Sequence, residues 1–428
     1  MKKSPEPTAP LSHLRTNELT GREDPSQESH ARELLNPPPM RVLFRLLHAS
    51  NRCPAHEHHV RRPGWTELFF DLVFAAAIAQ LSAPLDHDYS LPGIARFAFL
   101  LTLVFLAWFG YTTFATQFAV EDFVQRLLIV VQIFLVAVMA ANATDALDSR
   151  DAAGFGAAYG AVRAILALQY FRVRWLPEAD GLVERRIGGL LVAAALWALA
   201  AMLPIPYRYM GWSVALLVDV GNSWPFSSST TASPPGATHF PERFGLLTII
   251  LLGEFVASVM RGIQSQLGWS FLAAASAILS MALGFAIWSC YSDGAAGCEP
   301  RRIRSAKDVG RLRAWIILHL ALFLGIGVLG VGIHHAIALP PGEHFAGSEQ
   351  WIVCVATAGI ILVMTGIAAT SELHSPSRQP WKWASQFVLF FFVMALAPLS
   401  HWMVATALLA IFLLSFIGQS ALLILSRR

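Results

Sequence analysis

From Trp65 to its end the chain is a train of apolar segments, each near the ~20 residues that cross ~30 Å of hydrocarbon as a helix, and each set off by polar residues, Gly or Pro. Twelve segments can be delimited: 66–83, 93–119, 126–147, 152–171, 187–203, 207–222, 243–261, 269–291, 313–333, 350–370, 382–399 and 401–426. This pattern predicts an all-α, polytopic membrane helix bundle of about twelve transmembrane helices. Composition excludes the soluble alternative. The 428 residues are 55% hydrophobic and 14% charged, and no charge-rich stretch is long enough to cover a soluble domain.

The 31 Lys and Arg test the count independently, because loops on the cytoplasmic side of a membrane carry an excess of them. With the N-terminus inside, the inner loops hold Arg126; Arg172, Arg174, Arg185 and Arg186; Arg243; Arg301, Arg302, Arg304, Lys307, Arg311 and Arg313; and Arg378 and Lys382. The outer loops hold only Arg96, Arg150, Arg208 and Arg261, and Arg163 lies within a span. One helix more or fewer before residue 301 would put six cations outside. The expected placement is therefore a multi-pass protein of the inner, cytoplasmic membrane with both termini in the cytoplasm. The cations report topology, so no nucleic-acid partner is expected.

Residues 1–62 are polar, rich in both charges and without a signal-peptide core, and they read as a disordered cytoplasmic tail. Within the tail, Met40 to His48 spaces Arg41, Arg45 and His48 so that a short helix would lie on anionic headgroups, an ordinary tail segment being the alternative. Cys53, His56, His58 and His59 bear metal-capable atoms but lack a second pair to close a site, so no metal is assigned. The four cysteines follow no paired spacing and read as inert.

Sparse signatures recur in order along the chain. Glu67-Leu-Phe is answered by Glu242-Arg-Phe, each opening a span; Trp108-x-x-Tyr111 by Trp288-x-x-Tyr291; and Arg126 six residues before Gln132 by Arg313 six before His319. These pairings predict two parallel six-helix repeats. The resulting organisation is a tail at 1–62, a first repeat at 63–222, a cytoplasmic linker at 223–242 and a second repeat at 243–428.

The first span reads Thr66-Glu-Leu-Phe-Phe-Asp-Leu-Val-Phe-Ala, and the seventh runs from His239-Phe-Pro-Glu-Arg-Phe-Gly to Leu-Gly-Glu254. Together these blocks resemble the bacterial low temperature requirement protein A family, whose patterns are E-L-F-F-D-L-V-F and H-x-x-E-R-F-G followed by L-G-E. Tyr291-Ser-Asp293, near the family's Y-F-D, and His319 extend the resemblance over roughly residues 63–425. It implies a polytopic membrane protein named for a growth phenotype in the cold, without an assigned substrate. A second similarity, to potassium channels with an F-S-D signature in the first helix, covers Glu67, Phe69, Asp71, Val73, Phe74 and Ala75. Phe70 replaces the serine, and Leu246 stands where the second aspartate would be.

An ionisable side chain at membrane depth costs at least ~2.5 kcal/mol, so each needs a partner, a wet cavity or an interfacial position. Glu67 and Asp71 lie four apart on one helix face, either a cation entry site or an interfacial residue beside an Arg-paired pin. Glu254 lies deepest. Its expected partners in other spans are Arg163, Asp219 or His319, giving either a proton acceptor or a structural lock. His319 reads as a proton relay or a hydrogen-bonded packing residue. With Glu242, Arg243, Tyr291 and Asp293 these complete the candidate site residues. Gly156-x-x-x-Gly160 and Gly325, Gly327, Gly330 and Gly332 read as close helix contacts. No phosphate-binding loop, nucleophile elbow or zinc-protease signature occurs, so no cofactor and no enzymatic activity are expected. The expectation is a secondary transporter of a small solute or cation in the lipid bilayer, with a cation channel and a non-transporting sensor or lipid-modifying enzyme as alternatives.

Overall fold

The structure is a computed structural model that describes residues 64–426, apart from 119, 121, 144–152, 177–178, 180, 206, 224–238, 267–269, 296, 300, 302, 341–342, 346 and 372–379. The tail, with its Met40–His48 segment and Cys/His cluster, lies outside the described residues, as does most of the 223–242 linker.

Among the described residues twelve α-helices follow one another: α1 (Trp65–His87), α2 (Leu91–Gln117), α3 (Phe123–Ala141), α4 (Ala153–Val173), α5 (Gly181–Ala201), α6 (Tyr207–Ser223), α7 (His239–Gln264), α8 (Phe271–Ser289), α9 (Ala306–Ala338), α10 (Glu349–Thr370), α11 (Pro380–Leu399) and α12 (Ala405–Ser426). Eight are long and apolar enough to cross a membrane: α1, α2, α3, α7, α8, α9, α10 and α12. Of the other four, α4 carries Arg163 and Arg172, α5 opens on Glu184, Arg185 and Arg186, and α6 has 17 residues. α11 has 20 residues.

Local chemistry sets several boundaries. Ser90 caps α2 by accepting from the Gly93 amide at 3.3 Å, and Asp122 caps α3 by accepting from the Gln125 amide at 2.7 Å. At α9 the cap is reciprocal: Ser305 accepts from the Asp308 amide at 3.3 Å while the Asp308 carboxylate accepts from the Arg304 amide at 3.1 Å. That cap starts α9 seven residues ahead of the apolar run at 313–333, and its 33 residues reach about 50 Å. The α7 boundary also moves. The helix begins at His239, inside the segment expected to be linker, because Pro241 sits in the first turn, where a missing amide costs nothing, and the polar Glu242-Arg243 pair only looks like loop. At its far end α8 widens into one π-helical turn, Cys290–Gly294, which carries Tyr291 and Asp293.

The exterior of the bundle is apolar as well as its core. On α1, Glu67, Phe70, Asp71, Phe74, Ile78, Leu81 and Leu85 form one buried stripe at helical spacing, while Phe69 and Leu72 are exposed. Phe134, Leu217, Ile278, Phe285, Val388 and Leu414 are likewise exposed, and Asp71, Arg163, Asp219, Arg243 and His319 are fully buried. An apolar exterior of this extent suits hydrocarbon, not water.

Helix neighbours repeat along the chain. In the first six helices α1 packs on α2 and α3, then α3 on α4, α4 on α5, α5 on α6, and α2 touches α6. In the last six, α7 packs on α8 and α9, then α9 on α10, α10 on α11, α11 on α12, and α8 lies along α12. α1 and α7 pack directly against each other, with α9 beside both.

α4 and α5 approach each other closely. A Cβ at Gly160 would stand 3.0 Å from the Ala194 carbonyl oxygen and 3.1 Å from the Trp197 Cβ, whereas one at Gly188 on α5 would meet nothing within 4 Å. Gly160→Leu is therefore expected to cost about 1–3 kcal/mol through overpacking. Gly188→Leu should stay within about 0.5 kcal/mol. Thermal unfolding in detergent checks this, and equal midpoints for the two variants would remove the close-contact assignment.

Candidate functional site

The buried stripe of α1 brings Glu67 and Asp71 against α7, which presents His239 and Arg243 one turn apart. Arg243 grips Asp71 in a fork: its Nε donates to Oδ2 at 3.2 Å and its Nη2 donates to Oδ1. The indole Nε1 of Trp108 on α2 donates to the same Oδ1 at 2.7 Å, and the guanidinium lies 5.7 Å from the Tyr111 ring. Glu67 stands at the rim, its Oε2 at 3.2 Å from His239 Nε2 and 3.8 Å from Arg243 Nη1.

In this cluster two carboxylates face one guanidinium and one imidazole. Hydrogen-bonding atoms are left over. Arg243 Nη1 and His239 Nδ1 make no hydrogen bond among the described residues, although both are buried. Burial of charge with unused hydrogen-bonding capacity is costly, and it is the pattern expected where a proton or a small cation enters and leaves.

Phe244, next to Arg243, extends the site. Its ring stands edge-on to Trp108 at 4.8 Å, and packs on Trp315 at 4.4 Å and on His319 at 5.0 Å. His319 on α9 is held from both sides: Nδ1 lies 2.7 Å from the Trp315 carbonyl and Nε2 lies 3.0 Å from the Tyr291 hydroxyl. A carbonyl only accepts, so the Nδ1 position carries the proton and Nε2 of the neutral ring accepts from Tyr291. The π-helical turn at the end of α8 supplies that tyrosine. Asp293, two residues on, is exposed, and Glu242 is partly exposed in the first turn of α7. Cys298 packs near Tyr291, and burial raises its thiol pKa, which keeps it an unreactive thiol.

Arg163 forms a separate centre. Its Nε donates to Asp219 Oδ2 at 2.8 Å, its Nη1 donates to the Leu106 carbonyl at 3.1 Å, and the Tyr159 hydroxyl bonds to both Arg163 and Asp219. Every side chain in this lock is fully buried, and it ties α4 to α6 and α2. Glu254, expected to reach Arg163, Asp219 or His319, reaches none of them. It accepts from Arg261 on its own helix at 2.8 Å, with side-chain exposures of 20% for Glu254 and 42% for Arg261. Two helical turns separate the pair, and the long Arg side chain spans them toward the helix end. Glu254 is thus a peripheral ion pair, and Asp219 takes the partner assigned to it.

Trp108, Tyr111, His239 and Tyr159 belong to these centres without having been singled out as site residues. His239 opens the same block as Arg243, four residues upstream, and that helical spacing was a usable signal. Tyr159 likewise precedes Arg163 by one turn.

A bundle with lipid-compatible residues outside, ion pairs sealed inside and eight helices able to span a bilayer is an integral, multi-pass membrane protein. The chain matches the bacterial low temperature requirement A protein (LtrA) over residues 62–418, and it belongs to that family. It is also similar to an uncharacterized protein of Rhizobium meliloti (strain 1021), 26% identical over 67% of this chain and 74% of the relative.

Proposed function

We propose that this protein is a secondary transporter of a small solute or cation, not an enzyme, built from two parallel six-helix units in the cytoplasmic membrane with both termini inside. The observation that carries the reading is the Glu67–His239–Arg243–Asp71 cluster, buried where α1 and α7 meet, in which Arg243 Nη1 and His239 Nδ1 make no hydrogen bond among the described residues. α1 and α7 are the opening helices of the two units. The recurrence of helix neighbours within residues 65–223 and 239–426 supports the duplication, and the distribution of Lys and Arg supports twelve spans. A channel lined by Asp71 has less support, because Arg243 and Trp108 engage both of its carboxylate oxygens.

Flux in proteoliposomes across a panel of monovalent and divalent cations, with and without a pH gradient, tests the proposal. Uptake driven by the gradient is expected, and Glu67→Gln, at the rim of the cluster, should lower it at least ~10-fold while the folded yield is unchanged. Absence of flux under every gradient would remove transport. Flux untouched by Glu67→Gln would remove this cluster from it.

A further inference from the structure

A second polar cluster lies at the opposite end of α1 from Glu67, where α1 and α9 finish and α10 begins. Asp86 Oδ1 is 2.6 Å from His334 Nδ1 and 3.3 Å from His335 Nε2, and one ligand atom from each of the three residues falls within 4.8 Å of the others. His335 is the most constrained of them. Its Nδ1 faces Glu349 Oε1 at 3.4 Å, its Nε2 faces both Asp86 Oδ1 and the Asp86 carbonyl at 3.2 Å, and the Tyr89 ring stands edge-on to it at 5.2 Å. Tyr89 is anchored in turn by donating to the Val328 carbonyl at 2.8 Å.

We infer that Asp86, His334 and His335 form a binding site for a divalent transition-metal ion of the zinc class. Two imidazole nitrogens and one carboxylate oxygen are a borderline donor set that suits Zn2+ and its neighbours, with water or a substrate in the open fourth position. Ligand atoms at ~2.0–2.1 Å from a tetrahedral ion stand about 3.3 Å apart. The Asp86–His335 separation already has that value. The Asp86–His334 pair, now joined by a hydrogen bond, has to open by about 0.7 Å as the ion replaces the shared proton. Glu349 on Nδ1 of His335, with Nε2 turned to the ion, is the carboxylate–histidine–metal arrangement that fixes ring orientation and raises ligand basicity. All four side chains are half-buried, so an ion can reach the site and is partly shielded once there. In the proposed topology this end of α1 and α9 faces the outside, so the ion comes from the exterior. The site does not depend on transport.

The test uses the full chain in detergent, with a histidine-free affinity tag and with Cys53, His56, His58 and His59 replaced so that the tail cannot contribute ligands. Zn2+ titration by calorimetry, with elemental analysis after dialysis, should find one ion per chain. The double variant His334→Gln/His335→Gln should weaken binding at least ~100-fold. Glu349→Gln, which keeps all three ligands, should weaken it about 10–100-fold. X-ray absorption on the unsubstituted ligand set should show histidine scattering and nitrogen or oxygen at ~2.0–2.1 Å, a readout that needs no variant to fold. Absence of binding, binding unchanged in the double histidine variant, or a metal shell without histidine scattering would overturn the site and leave the cluster an ion-paired latch.

Discussion

Arg243→Met is expected to cost about 3–5 kcal/mol of stability, the loss usual when one partner of a buried ion pair is removed and the other is left uncompensated. Asp71 is fully buried and keeps only the Trp108 indole once the guanidinium is gone. Asp71→Asn should be comparably severe, since it strands Arg243 beside Glu67 alone. The double variant Asp71→Asn/Arg243→Met removes both charges, and its loss should be smaller than the sum of the single losses by more than ~0.5 kcal/mol. Denaturant or thermal unfolding in a fixed detergent measures all three. Additive losses would mean that these partners, 172 positions apart in sequence, are held together by packing and not by charge. A stable double variant without gradient-driven flux would separate the two roles of the pair, leaving the fold intact and the transport site disabled.

The second large effect concerns Arg163. Arg163→Met takes the guanidinium away from Asp219 among fully buried side chains, and a loss of about 3–5 kcal/mol follows from the same reasoning. Glu254→Gln provides the contrast. Its pair with Arg261 is screened and partly exposed, so the loss should stay below about 1 kcal/mol, with flux retained. This order reverses the one that depth along α7 alone suggests, in which Glu254 is the carboxyl most in need of a partner. Equal destabilisation by Arg163→Met and Glu254→Gln would mean that Glu254 lies in a drier setting than the 20% exposure of its side chain indicates.

Much of the architecture was legible in the residues. Among the described residues each of the twelve apolar segments overlaps a helix, and in the eight long and apolar enough to cross a membrane hydrocarbon leaves the backbone no other partner for its amides and carbonyls. The boundaries that moved did so for local reasons that hydropathy averages out: a proline tolerated in the first turn of α7, and a Ser305–Asp308 cap that prolongs α9 through its basic residues. Helical spacing also placed Glu67 with Asp71 on one face, and it would have placed His239 with Arg243 and Tyr159 with Arg163 had it been applied to them.

The sequence by itself determined which elements form, which face of α1 is buried and which charges need an explanation at membrane depth. Periodicity is a property of one helix, so it carries no information about the neighbour that a buried face meets. Arg243 finds Asp71 across 172 residues and Arg163 finds Asp219 across 56, and both choices depend on how helices are laid side by side. The Asp86–His334–His335 group is the extreme case. Its members are unremarkable as helix-end residues in sequence, and only the packing of α1 against α9 brings a carboxylate to two imidazoles 248 and 249 residues away. Long-range pairing was decided by tertiary structure because a charge in a low-dielectric interior takes the nearest opposite charge in space, and distance along the chain does not enter that energy.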